Sequence, residues 1–103
     1  MQINKTSINQ KTSITNPIRL SKITNPNGSL FLSQAPGKKI ATGRNGLKYD
    51  RNLKSDLIEI QKTAKINTII CLLNKYELRT IGVDLSEYEK ICKFLFIELI
   101  VTN

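Results

Sequence analysis

Histidine and tryptophan do not occur in this chain of 103 residues, and cysteine occurs only twice. Without an imidazole there is no histidine general acid or base, no Ser-His-Asp triad and no mixed Cys/His zinc site. No metal or cofactor is expected. Two cysteines, Cys71 and Cys92, are too few for a disulfide framework. Each falls within an apolar pattern and reads as a buried thiol. Long apolar runs are also missing. The longest, residues 94–101, is interrupted by Glu98 and is far shorter than a bilayer span. The first twenty residues are polar with scattered isoleucines and show no secretory signal. The expectation is a cytoplasmic protein with no membrane association.

Acidic residues are scarce in the first half. Residues 1–54 hold ten Lys or Arg and one acid, Asp50; residues 55–103 hold six Lys or Arg and seven acids. The halves therefore carry +9 and −1, which add to the net +8. One reading is attraction to nucleic acid, acidic lipid or phosphorylated protein. The other is compositional drift, since Ile, Asn and Lys supply 37 of the 103 residues. A nucleic-acid surface would interleave aromatics with the basic side chains. Here Phe31, Tyr49, Tyr76, Tyr88, Phe94 and Phe96 mostly follow strand or helix patterns instead, so nucleic acid is not an expected partner.

What is present begins with a low-complexity stretch. KTSI occurs at 5–8 and 11–14, and ITNP at 14–17 and 23–26, too short a period for a solenoid. Residues 1–16 read as a flexible tail. Ile18, Leu20 and Ile23 then suggest a partly buried strand. The turn Asn25-Pro26-Asn27-Gly28 and the apolar Leu30-Phe31-Leu32 complete a β-hairpin. A glycine-bearing basic loop follows from Pro36-Gly37. Backbone N–H groups near Gly37 or Gly43, with Lys38, Lys39 and Arg44, form a candidate anion site. The spacing fits neither a phosphate-binding nor a dinucleotide motif, and a solvated connecting loop is the competing reading.

Asp50 is the expected N-cap of a helix reaching about Lys65, with Leu53, Leu57, Ile60 and Ala64 at helical spacing. Residues 69–73, all apolar and rich in β-branched side chains, read as a strand buried on both faces inside a parallel sheet. Chemistry in such sheets sits beyond the strand's carboxyl end, here residues 74–80. Residues 75–81 read as a short helix ended by Gly82. Asp84 with Glu87 starts another helix with Leu85, Tyr88 and Cys92 on one stripe. Residues 95–101 form the last apolar strand. Strand–helix–strand order predicts a parallel pair. Helices are needed on both faces of that pair, and only two of useful length are visible. Either a partner, or self-association through the uncovered sheet, supplies the missing cover, or the chain is a piece of a larger domain.

Taken in order, the PGKK turn, RNLKSDL, NTIICLL, YELRTIGVD and SEYEKIC resemble the amino-terminal part of dual-specificity protein phosphatases of the cyclin-dependent kinase inhibitor 3 (kinase-associated phosphatase) type. The residues carrying the resemblance are Leu32-Ser33, Pro36-Gly37-Lys38, Arg51, Leu53, Asp56, Leu57, residues 69–73, Glu77-Leu78 and Gly82-Val83, within about residues 17–103. The resemblance implies an α/β chain: part of a three-layer phosphatase-like fold, with an amino-terminal hairpin and then strand–helix–strand units around a parallel central pair. It implies phosphoprotein dephosphorylation through a cysteinyl-phosphate. There a His-Cys-x5-Arg loop at a helix N-terminus lowers the cysteine pKa and grips phosphate, and an aspartic acid protonates the leaving oxygen.

None of those catalytic residues matches a position here. Six residues beyond Cys71 stands Glu77, and six beyond Cys92 stands Glu98, where the signature needs arginine. The resemblance aligns the general acid with Asn103, whose amide donates no proton to an alkoxide at neutral pH. The expectation is a phosphatase-like domain that stops before its signature and has no turnover of its own. The alternative is a non-catalytic module that holds a phosphorylated or acidic protein.

Overall fold

Seven short strands and three α-helices follow one another in the computed structural model, which describes residues 10–25, 27–41 and 46–102. The strands are β1 (Gln10–Thr12), β2 (Leu20–Asn25), β3 (Gly28–Ser33), β4 (Lys39–Ile40), β5 (Lys48–Asp50), β6 (Thr68–Cys71) and β7 (Glu98–Val101). The helices are α1 (Leu53–Ala64), α2 (Lys75–Thr80) and α3 (Leu85–Phe94). They build a mixed α/β globule with three small sheets. In the first, β5 lies between β1, parallel to it, and β4, antiparallel to it. The second is the β2–β3 hairpin, closed with Asn25 opposite Gly28. The third is a parallel pair, β6 with β7, in which Ile70 faces Ile100.

Local chemistry sets where each helix begins and ends. The Asn52 side chain accepts the Ser55 N–H at 2.8 Å and starts α1. Lys65 closes that helix in the left-handed conformation, its N–H donating to the Gln61 carbonyl at 2.8 Å. In α2, Asn74 and Glu77 form a reciprocal capping box: each side chain accepts the other's backbone N–H, at 2.8 and 3.0 Å. In α3, Asp84 accepts the Glu87 N–H at 3.2 Å. That helix ends in a Schellman motif. The N–H of Ile97 donates to the Cys92 carbonyl at 2.8 Å and that of Phe96 to Lys93 at 3.2 Å.

The core gathers one stripe from each helix. Leu53, Leu57 and Ile60 of α1, Leu78 of α2, and Tyr88 and Cys92 of α3 are buried with Ile18, Cys71, Val83 and Ile97. Each of the buried Leu, Ile and Val side chains contributes about 1.5–3 kcal/mol by leaving water. Ile69, Leu73, Leu99 and Val101 pack against this cluster, so one face of β6–β7 belongs to the core.

Several expectations need correction. Part of the stretch read as a flexible tail, Gln10–Thr12, is strand β1, paired in parallel with β5; residues 1–9 lie outside the described residues. Asn52, not Asp50, caps α1, because Asp50 is held in β5 opposite Lys39. The strands expected over 69–73 and 95–101 are shorter, because residues 95–97 complete the Schellman turn and Cys71 ends β6. The parallel pair is present, but as a separate two-stranded sheet and without burial on both faces. Ile70, Leu72 and Ile100 are exposed, so among the described residues helices cover a single face and no third layer is seen. Ile23, Leu30 and Leu32 of the hairpin are exposed as well.

Candidate functional site

The basic turn and the carboxyl end of β6 were the two places where chemistry was expected. At the turn, the Gly37 N–H and the Arg51 side chain together bind the protein's own Asp56 carboxylate. Gly37, at φ 74°, aims its N–H at Asp56 Oδ2, 2.9 Å away. Arg51 binds the same carboxylate in a fork, Nε to Oδ2 at 2.9 Å and Nη2 to Oδ1 at 3.0 Å. Arg51 and Asp56 are each only 1% exposed. The Arg51 N–H also donates to the Lys38 carbonyl at 3.0 Å, tying the turn to the helix start. A Cβ on Gly37 would come within 2.7 Å of the Leu53 Cβ, so the turn packs on α1 only with glycine there. The same holds at Gly82, where a Cβ would collide with the Lys39 carbonyl oxygen.

Lys38 and Lys39, the two candidate anion ligands among the described residues, are each engaged elsewhere. The Lys38 ammonium lies over the Tyr49 ring, 4.2 Å from its centroid. Lys39 Nζ meets Asp50 Oδ1 at 3.4 Å, an exposed pair of little energetic weight. Arg44 and Gly43 lie outside the described residues, as does Asn103. Of the backbone groups in the candidate anion site, the Gly37 N–H is already engaged by Asp56.

A shallow cleft of about 380 Å³ runs beside the turn, lined by Gly37, Lys39, Lys54, Asp84, Glu87 and Ile91 among others. Its charges are mixed, two cations and two carboxylates, so it does not select an anion. A second cleft of about 210 Å³ is lined by Lys75, Arg79, Gly82, Val83, Asp84 and Leu85. Neither contains a cysteine.

The carboxyl end of β6 is closed by structural bonds. Glu77, at that edge, is half of the α2 capping box. The Cys71 thiol donates to the Leu73 carbonyl at 3.4 Å, and the Thr102 N–H and hydroxyl both donate to the Cys71 carbonyl at 3.1 Å. Cys92 is buried beside Tyr88 in the core. Burial, helped by the charge of Cys71, pushes the Cys92 thiol up to about 11. Burial, with both thiols nearby, raises the Tyr88 phenol further above its ordinary range. At neutral pH Cys92 is a neutral thiol, the opposite of a phosphatase nucleophile. Among the described residues no group of three or more Cys, Asp or Glu could hold a metal, and no helix is long and apolar enough to cross a membrane.

The Arg51–Asp56–Gly37 lock was not foreseen, although a signal existed. Asp56 interrupts the apolar stripe of Leu53, Leu57 and Ile60. A carboxylate inside such a stripe must find a partner or lose its charge. No family model, curated protein or solved structure matches this chain.

Proposed function

We propose that this chain is the amino-terminal portion of a dual-specificity or tyrosine phosphatase-like domain, a cytoplasmic scaffold for phosphoester chemistry without turnover of its own. The observation that carries the reading is the parallel β6–β7 pair with α2 and α3 in its connection. Hairpin, Pro-Gly turn, α1, β6, α2, α3 and β7 also follow one another in the order the resemblance implies. The Arg51–Asp56 lock falls on two of the residues that carry that resemblance. It supports their role as part of a shared scaffold rather than of a phosphate site. Absence of turnover rests on the missing His-Cys-x5-Arg loop and on Cys92 being held neutral.

The test is hydrolysis of p-nitrophenyl phosphate by the chain and by its Cys71→Ser/Cys92→Ser variant. Both are expected to match buffer. Turnover that disappears in the variant would show a working thiolate and overturn the inactive reading. Turnover that persists would place the chemistry outside cysteinyl-phosphate altogether. Reading the downstream DNA in all frames for His-Cys-x5-Arg tests the family reading separately, and absence of the signature there would count against it.

A further inference from the structure

Two phenylalanines at the carboxyl end of α3 stand in solvent, although both fall on apolar sequence patterns. Phe94 is 68% exposed and Phe96 90%. Phe96 also holds φ 59°, a left-handed conformation that a residue with a Cβ adopts at a cost. So exposed a ring packs on almost nothing, so the fold itself does not offset that cost. α1 runs beside this end. Lys54 holds its ammonium 5.2 Å from the Phe94 ring centroid, and Gln61 Nε2 donates to the Leu95 carbonyl at 2.6 Å. Ile58 lies between Lys54 and Gln61 on the same helical stripe and is 42% exposed. Exposed basic side chains frame this apolar patch. Lys62 and Lys65 stand at the end of α1; Lys90 is one turn before Phe94, and Lys93 precedes it directly. On the stripes that carry Ile58 and Phe94 the one acid is Glu87, two turns before Phe94. Glu59 and Glu89 fall to the side, and Glu98 starts β7.

We infer that this patch docks the protein on an anionic membrane surface, with Phe94 and Phe96 entering the headgroup region and the lysines around them meeting acidic lipid. Charge selects the occupant. A chain of net charge +8 repels a second copy of itself and is drawn to a negative surface. Shape narrows the choice further. Neither cleft of the protein is lined by Phe94 or Phe96, so the rings project from the surface and do not flank a groove for a peptide. A bilayer interface deforms around projecting rings, and lysines can lay their stems on it while their ammonium groups stay in water. Stacking of nucleic-acid bases needs free ring faces, and Lys54 already covers one face of Phe94. Docking of this kind needs a surface patch and no spanning helix, so it replaces the expectation of no membrane association without conflicting with the short helices. It stands apart from the phosphatase reading, because it uses only the surface where α1 and α3 end.

Co-sedimentation of the full chain with vesicles tests it. The wild type is expected to bind vesicles of equal parts phosphatidylserine and phosphatidylcholine, to bind pure phosphatidylcholine far less, and to lose affinity as salt rises. Phe94→Ser/Phe96→Gly is expected to weaken binding at least about tenfold. Lys62→Gln and Lys65→Gln are each expected to weaken it roughly fivefold, on the anionic vesicles only. Phe96→Gly alone relieves the left-handed strain, so it is expected to bind vesicles less well while unfolding at higher urea. That opposition separates docking from a loss of fold, and circular dichroism checks each variant. Absence of binding to the anionic vesicles at low salt overturns the inference. So does binding that both phenylalanine variants leave unchanged, which would reduce it to the attraction of any basic chain. Tighter binding to a single-stranded oligonucleotide than to vesicles at equal phosphate concentration, lost in Phe94→Ser/Phe96→Gly, also overturns it and assigns the patch to nucleic acid.

Discussion

Removing the Asp56 carboxylate is the perturbation the structure predicts most sharply. Three hydrogen bonds end on its two oxygens, from Gly37 N–H, Arg51 Nε and Arg51 Nη2, all between 2.9 and 3.0 Å. In Asp56→Ala the guanidinium keeps its place at 1% exposure but loses its counter-charge. Breaking a buried ion pair from one side costs about 3–5 kcal/mol. A small domain holds only about 5–15 kcal/mol in total. Each kcal/mol moves the midpoint of a domain this size by about 4–8 °C. A fall in Tm of at least about 12 °C, or loss of a cooperative transition, is expected. The double variant Arg51→Met/Asp56→Leu removes both charges and leaves chiefly the Gly37 N–H without a partner, at about 1–3 kcal/mol. It is therefore expected to be more stable than Asp56→Ala alone. Urea titration followed by far-ultraviolet circular dichroism measures both. A cost under about 1 kcal/mol for Asp56→Ala, or a double variant no better than the single, would refute the picture of a buried, fully engaged pair.

Two further outcomes follow from single residues. Phe96 occupies the left-handed position after α3 at φ 59° and is 90% exposed. A side chain there costs about 1–2 kcal/mol and loses little packing when removed. Phe96→Gly should raise the urea midpoint by an amount equivalent to about 1 kcal/mol, whereas Phe96→Ala, which keeps its Cβ, should gain much less; equal gains would show that the backbone conformation is not the cause. The Cys92 thiol titrates near 9 when unfolded and at about 11 in the fold. Between those values the folded state holds the proton that the unfolded state has lost. Stability is therefore level below pH 9 and falls as pH rises to 11, by roughly 1–3 kcal/mol, with Tyr88 adding in the same direction at higher pH. Urea midpoints at pH 8 and pH 10.5 check this, and an unchanged midpoint would refute it.

Much of the local structure was legible. Leu53, Leu57 and Ile60 recur at helical spacing and are buried as that spacing requires. Asp84 caps α3 through the Glu87 N–H, and the turn around Asn27-Gly28 joins a true hairpin. The parallel pairing of β6 with β7 followed from strand–helix–strand order. Strand ends were less legible, because a left-handed Phe96 is not a residue that announces a helix C-terminus. The engagement of the Gly37 N–H by Asp56 was not legible. Asp56 lies nineteen residues from Gly37 in sequence, and only the packing of the turn on α1 brings them together.

The sequence by itself determined where the three helices and the strands of the β2–β3 and β6–β7 pairs lie to within a few residues, and that α3 starts at Asp84, since each of these depends on neighbours a few residues apart. Only the tertiary structure decided that Arg51 and Asp56 are locked inside the protein and that one face of β6–β7 lies open. An apolar run reports that its side chains gain by leaving water, whereas whether anything arrives to cover them depends on how many layers the folded chain supplies.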